Sequence, residues 1–451
     1  MSDPTHAAAS MDAGDTARLL CCSALVLLMT PGLGFFYGGH ARANASAAVN
    51  TIKMSLLTLV VVAIEWAALG YSMAFGPGNA IFGGFEHAGL AGIGSEPRSG
   101  ESIPHSGIAV FQMVFAILAP VLISGALAGR MRIKAYVVFI ALWSLLVYAP
   151  LARWVWSNEG WLRKLGAIDF AGGTVVHVSA GVSALVAAWI LGPRSPFTIA
   201  GSGRRDRPHS ARFVVLGASL LCFGWFGVRA GSALGTPDTA ALAAMTTMLG
   251  AAGSVVCWFA VDVFLRRKST AAGAAIAAVI GLVAITPGAG FVTPPASIAI
   301  GALSAIACRL VRHWLRDTSL DDTLDMFACH GVGGIVGALL TGVFATSAAN
   351  PHGSDGLLAG HPSLVWTQFV GTAVAAALAA AGTVIALALI SSWTPLRWSK
   401  RDERMGIDTT KHADAVYAME ANVVTMMVNN ARRTAPTRKP SPRPGTQCPR
   451  L

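Results

Sequence analysis

Residues 107–128 read Gly-Ile-Ala-Val-Phe-Gln-Met-Val-Phe-Ala-Ile-Leu-Ala-Pro-Val-Leu-Ile-Ser-Gly-Ala-Leu-Ala, with no Asp, Glu, Lys or Arg among them. At about 1.5 Å of rise per residue, a helix of that length crosses the roughly 30 Å hydrocarbon core of a bilayer. Backbone groups in lipid must be satisfied within the protein, so a helix or a closed barrel is required. The run does not alternate with period two, which selects the helix. Similar runs recur near 17–38, 48–74, 134–152, 172–192, 212–234, 239–265, 271–287, 294–313, 328–347 and 364–392. The expected fold class is therefore an all-α integral membrane protein with eleven transmembrane helices. Whole-chain composition agrees: 54% of the 451 residues are hydrophobic and 12% charged, too little polar surface for a soluble domain. The 49 glycines suit close approach between membrane helices.

The short loops carry the charge that orients the bundle. One set holds Arg42; Arg130, Arg132 and Lys134; Arg194, Arg204, Arg205 and Arg207; Arg266, Arg267 and Lys268; and Arg309, Arg312 and Arg316. The alternate set holds Arg98, Arg153, Arg163 and Lys164. The asymmetry predicts an outside N-terminus and an inside C-terminus, in a multi-pass protein of the cell's inner (plasma) membrane. It also accounts for the net charge of +11 without a nucleic-acid partner. The seven cysteines lie in or beside apolar runs, apart from Cys448, and read as small buried thiols rather than a disulfide framework. The first 18 residues lack the basic start of a signal peptide, so the first apolar run reads as a retained helix, with a removed signal as the alternative. The chain divides into an extracytoplasmic segment 1–16, a membrane domain 17–392, a cytoplasmic segment 393–420 and a basic, Pro-rich, disordered tail 421–451.

Two segments echo one another. Asp169-Phe-Ala-Gly-Gly-Thr-Val-Val-His177 enters the fifth helix, and Asp325-Met-Phe-Ala-Cys-His330-Gly-Val-Gly-Gly334 enters the tenth. Each puts an acid at the mouth of a Gly-rich helix and a histidine inside it. Helices one to five and six to ten then form an inverted 5+5 repeat, with a site near the midplane and the eleventh helix outside the symmetry. An ionisable group inside a membrane needs a reason. His177 and His330 can share a proton along a narrow path, since a neutral imidazole offers one donor and one acceptor; two separate core histidines bonded to carbonyls are the alternative. Asp169 and Asp325 can cap helix N–H groups, and Asp169 can add negative potential at an outer vestibule. Trp156 and Ser232 fall at outer helix ends, where an indole face attracts cations and a hydroxyl oxygen accepts hydrogen bonds; an interfacial Trp is also a common belt anchor. Phe111 and Phe115 are one turn apart and can plug a pore or face lipid.

Taken in order, Pro31-Gly-Leu-Gly-Phe-Phe-Tyr-Gly-Gly39, Asp169 to His177, Gly224-Trp-Phe-Gly227, Ala230-Gly-Ser232, Thr286-Pro287 and His330-Gly-Val-Gly-Gly-Ile-Val-Gly337 resemble the ammonium transporter family, the Amt/Mep/Rh superfamily, from about residue 19 to 420. The resemblance implies a homotrimer with one pore per subunit. It implies a recruitment site at Trp156, Ser232 and Phe111, with Asp169 as the structural acid below it, and a gate at Phe115. It further implies a twin-histidine pore at His177 and His330, with Thr286 nearby. The segment Gly406-Ile-Asp-Thr-Thr-Lys-His412-Ala-Asp-Ala-Val-Tyr417 resembles the family's regulatory C-terminus, which in bacteria works with a PII-type signal protein. Three departures stand out. Val228 and Arg229 replace the family's usual Phe-Asn, removing the second gating ring and adding a fixed charge. Glu65 is unusual in helix two, and Glu65 or Asp169 is a possible counter-ion for Arg229. Ala413 and Asp414 replace the usual Gly-Glu of the tail.

The expected function is ammonium or ammonia transport with no enzymatic step, cofactor or metal: ammonium is recruited, loses its proton, and ammonia crosses an apolar pore. Potassium cannot shed a proton, and dehydrating it in an apolar lumen is too costly. A sensor with little transport is the first rival, because of Val228 and Arg229. A haem-bearing membrane enzyme is the second, and it has only two deep histidines to draw on.

Overall fold

The computed structural model describes residues 11–41, 47–97, 101–194, 208 and 210–412, and among them there is no β-strand. Among the described residues eleven helices pack into one bundle: α1 (Ala13–His40), α2 (Ala48–Phe75), α3 (His105–Leu127), α4 (Ile133–Lys164), α5 (Gly173–Leu191), α6 (Ala211–Ser232), α7 (Pro237–Phe264), α8 (Ala271–Ala284), α9 (Pro294–Arg316), α10 (Phe327–Phe344) and α11 (Ser363–Ser391). Ten are long and apolar enough to cross a membrane. The exception is α8, whose 14 residues span about 21 Å. The sequence predicts it to continue to 287, but Pro287 has no N–H to donate and its ring blocks the next turn. The chain instead turns through 285–293 before α9. Ser157 breaks α4, with extended φ and ψ of −71° and 142°, which leaves Trp156 at the end of its main stretch.

The two histidine-bearing helices share an irregularity. Each begins with a π-turn, Gly173–Val178 in α5 and Phe327–Gly331 in α10, and each π-turn contains its histidine. The helices cross antiparallel with their backbones in contact. A Cβ on Gly181 would lie 2.1 Å from the Gly331 nitrogen, and one on Gly334 would lie 2.8 Å from the Gly173 carbonyl oxygen. Larger residues at either crossing would push the imidazoles apart.

A short helix α12 (Lys400–Met405) follows the bundle. Arg397 holds Glu403 through two hydrogen bonds of 2.6 and 2.8 Å. The chain then returns to the start of α2, where Ala47 has no side chain able to cap. Asp408 supplies the cap, accepting from the backbone N–H groups of Asn50 at 2.7 Å and Val49 at 3.0 Å. His412 Nε2 meets Asn50 Oδ1 at 2.9 Å. Asp408→Ala should therefore lower stability by about 1 kcal/mol. It should also speed tryptic cleavage between Lys400 and Lys411, and unchanged cleavage would show that this cap does not hold the segment. The expectations for residues 1–10, for Ala413 and Asp414, and for the tail 421–451 lie outside the described residues.

Candidate functional site

At one end of the bundle a cavity of about 460 Å³ is lined by Phe111, Phe115, Trp156, Asp169 and Ser232, among others. Its floor is aromatic. Phe111 and Phe115 meet edge to face at 5.0 Å, and Phe115 meets Trp156 likewise at 5.7 Å. Phe111 lies directly over the α6 backbone, since a Cβ on Gly231 would be 2.4 Å from its ring.

Asp169 is buried and saturated. One carboxylate oxygen accepts from Gly172 and Gly173 at 2.9 and 2.6 Å, the other from Thr174 and Val175 at 2.8 and 3.1 Å. These are the N–H groups that the start of a helix leaves unpaired, and the helix dipole favours a negative charge there. Its carbonyl oxygen accepts from Trp156 Nε1 at 3.0 Å, which fixes the indole against the cavity. Gly172 makes the turn possible at a φ of 101°, a left-handed conformation that a side chain disfavours. The acid thus builds the site. Ser232 Oγ donates to the Val228 carbonyl at 2.7 Å, which leaves its oxygen able to accept a bond from the cavity side.

Deeper in, His177 and His330 are both buried and meet Nδ1 to Nδ1 at 3.3 Å, with ring centroids 5.3 Å apart. One Nδ1 must donate and the other accept, so the two rings carry different tautomers. A haem needs room for its iron and macrocycle between such ligands, and 3.3 Å leaves none. Among the described residues no group of three or more His, Cys, Asp or Glu could hold a metal ion. Trp225 stacks on His177 at 6.0 Å and 27°. Sequence reasoning quoted Trp225 within a motif and assigned it no role. The signal was available, because 225, 229 and 232 fall on one helical face.

Arg229 occupies that face between Trp225 and Ser232. Its guanidinium donates to the carbonyl oxygens of Thr286 at 3.0 Å and Leu282 at 2.9 Å, and to Thr286 Oγ1. The Leu282 carbonyl lies in the last turn of α8, where it also accepts from Thr286 Oγ1 at 2.8 Å, and the Thr286 carbonyl lies in the turn that follows. Neither suggested counter-ion pairs with Arg229 among the described residues. The Asp169 oxygens are taken by backbone N–H groups, and both Glu65 oxygens are buried without a hydrogen-bond partner. Val228 and Thr286 are buried and do not line the cavity.

The start of α10 is capped from the other side. Asp322 Oδ2 accepts from the Phe327 N–H at 2.7 Å, at the first residue of the π-turn that holds His330. Burial first, and the neighbouring Asp325 second, push the Asp322 carboxyl up to about 7. A carboxyl whose folded value stands above its unfolded one holds its proton more tightly when folded. Its contribution to stability is complete below pH 4 and is lost as pH rises through 7. Asp322→Asn should flatten the stability profile by about 1 kcal/mol per pH unit across that window. Melting curves of both proteins from pH 4 to 8 read this directly, and parallel profiles would exclude it. Asp325 itself pairs with Arg312 at 2.5 Å.

Comparison with known proteins gives a consistent result. The family model described as Ammonium Transporter Family matches residues 17–417. The chain is 43% identical over 409 residues to an ammonium transporter of Bacillus subtilis, covering 90% of this chain and 99% of that one. It is 37% identical over 408 residues to the ammonium transporter Amt1 of Archaeoglobus fulgidus, covering 90% and 100%. Among solved structures, Mep2 of Saccharomyces cerevisiae superposes with a TM-score of 0.81 at 34% identity, covering 88% of this chain and 94% of that one. A structure titled Sensor Amt Protein superposes with a TM-score of 0.80 at 26% identity, covering 88% and 98%.

Proposed function

We propose that this chain, which belongs to the ammonium transporter family, takes up ammonium at the aromatic vestibule and passes ammonia along a path between His177 and His330. The family is one of transporters rather than enzymes, and the chain is a multi-pass membrane protein. In this reading the face of Trp156 and the rings of Phe111 and Phe115 stabilise a partly dehydrated cation, and Ser232 Oγ accepts one of its N–H groups. The aromatic floor then admits the species that has given up a proton. The imidazole pair offers a donor and an acceptor in an otherwise apolar conduit, so it can bond ammonia and hand a proton from ring to ring. Phe115 and Val228 bound the gate, and Thr286 tethers the residue beside it.

What carries this reading is the 3.3 Å contact between two imidazoles from antiparallel helices, below a cavity that holds the recruitment residues. The same proposal includes a homotrimer in the inner membrane, eleven helices with the N-terminus outside, and a PII-type partner at the C-terminal segment. A host lacking its own ammonium transporters should regain growth on low ammonium when it expresses this chain, and proteoliposomes should accumulate methylammonium. A correctly inserted chain that gives neither result would end the transport reading.

One observation favours a second reading. Arg229 puts a buried guanidinium on the α6 face between Trp225 and Ser232, and one of the structures the chain superposes on is titled a sensor. A sensor would bind ammonium and shift the Asp408 contact without restoring growth.

A further inference from the structure

Four π-turns interrupt the membrane helices among the described residues. Two of them hold the histidines. The other two, Trp66–Gly70 in α2 and Ser144–Tyr148 in α4, also pack against one another. Such turns are rare and frequently mark functional sites. This second pair gathers polar groups that no other part of the bundle satisfies. Glu65 immediately precedes the α2 turn, and both its carboxyl oxygens are buried without a hydrogen-bond partner. Ser144 Oγ and the Tyr148 hydroxyl, on residues 1% and 0% exposed, lack one as well. The Ser144 hydroxyl lies beside the Glu65 carboxyl without closing a bond to it, and Tyr148 is within electrostatic reach of the same group.

The surroundings hold the carboxyl in place. Gly70 leaves room for it: a Cβ there would be 3.0 Å from Glu65 Oε1 and 2.9 Å from the Trp66 ring. Trp66 meets the Tyr148 ring edge to face at 5.9 Å and donates from Nε1 to the Ala109 carbonyl at 3.3 Å. Unpaired polar atoms at membrane depth are costly, and a carboxylate most of all. A group that satisfies these four oxygens carries one positive charge, to match a single carboxylate, and several hydrogen-bond donors. Sodium and potassium match the charge and donate nothing. Water donates two bonds and carries no charge. Ammonium has the charge and four N–H donors, one for each oxygen. The vestibule is near: α3 packs against both π-turns, and its Phe111, Gln112 and Phe115 line that cavity. Gln112 Oε1 is itself buried without a partner.

We propose that Glu65, Ser144 and Tyr148 form a second ammonium site between α2 and α4, apart from the histidine pair. Binding there does not depend on flux through the pore. The test uses the full purified chain in proteoliposomes and reads carboxyl bands by infrared difference spectroscopy, with ammonium chloride perfused against N-methyl-D-glucamine chloride. Ammonium should perturb a carboxyl band that Glu65→Gln lacks, a substitution that keeps the size of the side chain. Ser144→Ala and Tyr148→Phe each remove one oxygen and should each raise the half-saturating ammonium concentration about tenfold. Ser232→Ala, in the vestibule, should leave that titration unchanged, and potassium chloride should not reproduce the band. Methylammonium uptake should persist in Glu65→Gln, and the band stands as a measure of this site whether or not the chain conducts. The absence of an ammonium-dependent carboxyl band, or a band that survives Glu65→Gln, would overturn the proposal. So would titrations unshifted in both Ser144→Ala and Tyr148→Phe, or one shifted by Ser232→Ala. An equal response to potassium would make this a site for alkali cations, and uptake abolished by Glu65→Gln alone would put Glu65 on the conduction path; either result also overturns it.

Discussion

Proteoliposomes carrying Arg229→Asn are expected to pass ammonium about 100-fold faster than those carrying the native chain. Arg229 lies one turn from Trp225, which stacks on His177, and one turn from Ser232 in the vestibule. Its guanidinium meets carbonyls and a hydroxyl and makes no ion pair among the described residues, so its positive charge is opposed only by the field of Asp169, whose oxygens are engaged by backbone N–H groups. A unit charge about 4 Å from a passing cation costs roughly 1 to 4 kcal/mol in effective dielectrics from 80 to 20. The middle of that range is about 100-fold in rate. The substitution has a second effect of opposite value. The shorter Asn cannot reach both carbonyls; Leu282 keeps the Thr286 hydroxyl as a donor, but the Thr286 carbonyl loses the guanidinium, and a buried acceptor without a donor costs about 1–3 kcal/mol. The variant should thus be faster and less stable. Currents on a solid-supported membrane and a melting curve from the same preparation separate the two. A folded variant with unchanged flux would show that the charge is not the barrier.

His177→Ala combined with His330→Ala is expected to lower ammonium flux by about 100-fold or more, the usual scale for losing a positioned proton donor and acceptor. Each ring's value depends on the other, because the shared Nδ1 contact needs a donor on one side and an acceptor on the other. Either single substitution should therefore cost nearly as much as both, a non-additivity that marks residues acting as a unit. Losing two imidazoles also widens the conduit, and an apolar lumen wide enough to hydrate no longer excludes potassium by dehydration. Potassium leak measured beside methylammonium uptake tests this. Uptake equal to the native chain in the double variant would remove the proton-relay role.

Several features were legible from local signals. Long apolar runs name the membrane helices because lipid imposes helix on any backbone that crosses it. The paired motifs around His177 and His330 name the candidate pore because a buried imidazole in such a run is costly without a partner. The end of α8 was missed by only a few residues, and Pro287 marks it. The π-turns in α5 and α10 left no clear mark in the sequence. Arg229 was visible as a departure, but Glu65 and Asp169 were the counter-ions that charge alone suggested. The structure gives it the carbonyl end of a truncated helix instead.

By itself the sequence determined membrane residence, the positions of the helices and the identity of the costly buried residues, because hydropathy and helical period are properties of contiguous chain. Only the tertiary structure decided who meets whom. The histidines that touch are 153 positions apart, Arg229 and its carbonyl at Thr286 are 57 apart, and Asp408 caps a helix 358 positions away. Such contacts depend on how each helix is rotated and where it crosses its neighbour. Those quantities are set by packing the whole bundle and by the places where glycine lets two backbones touch.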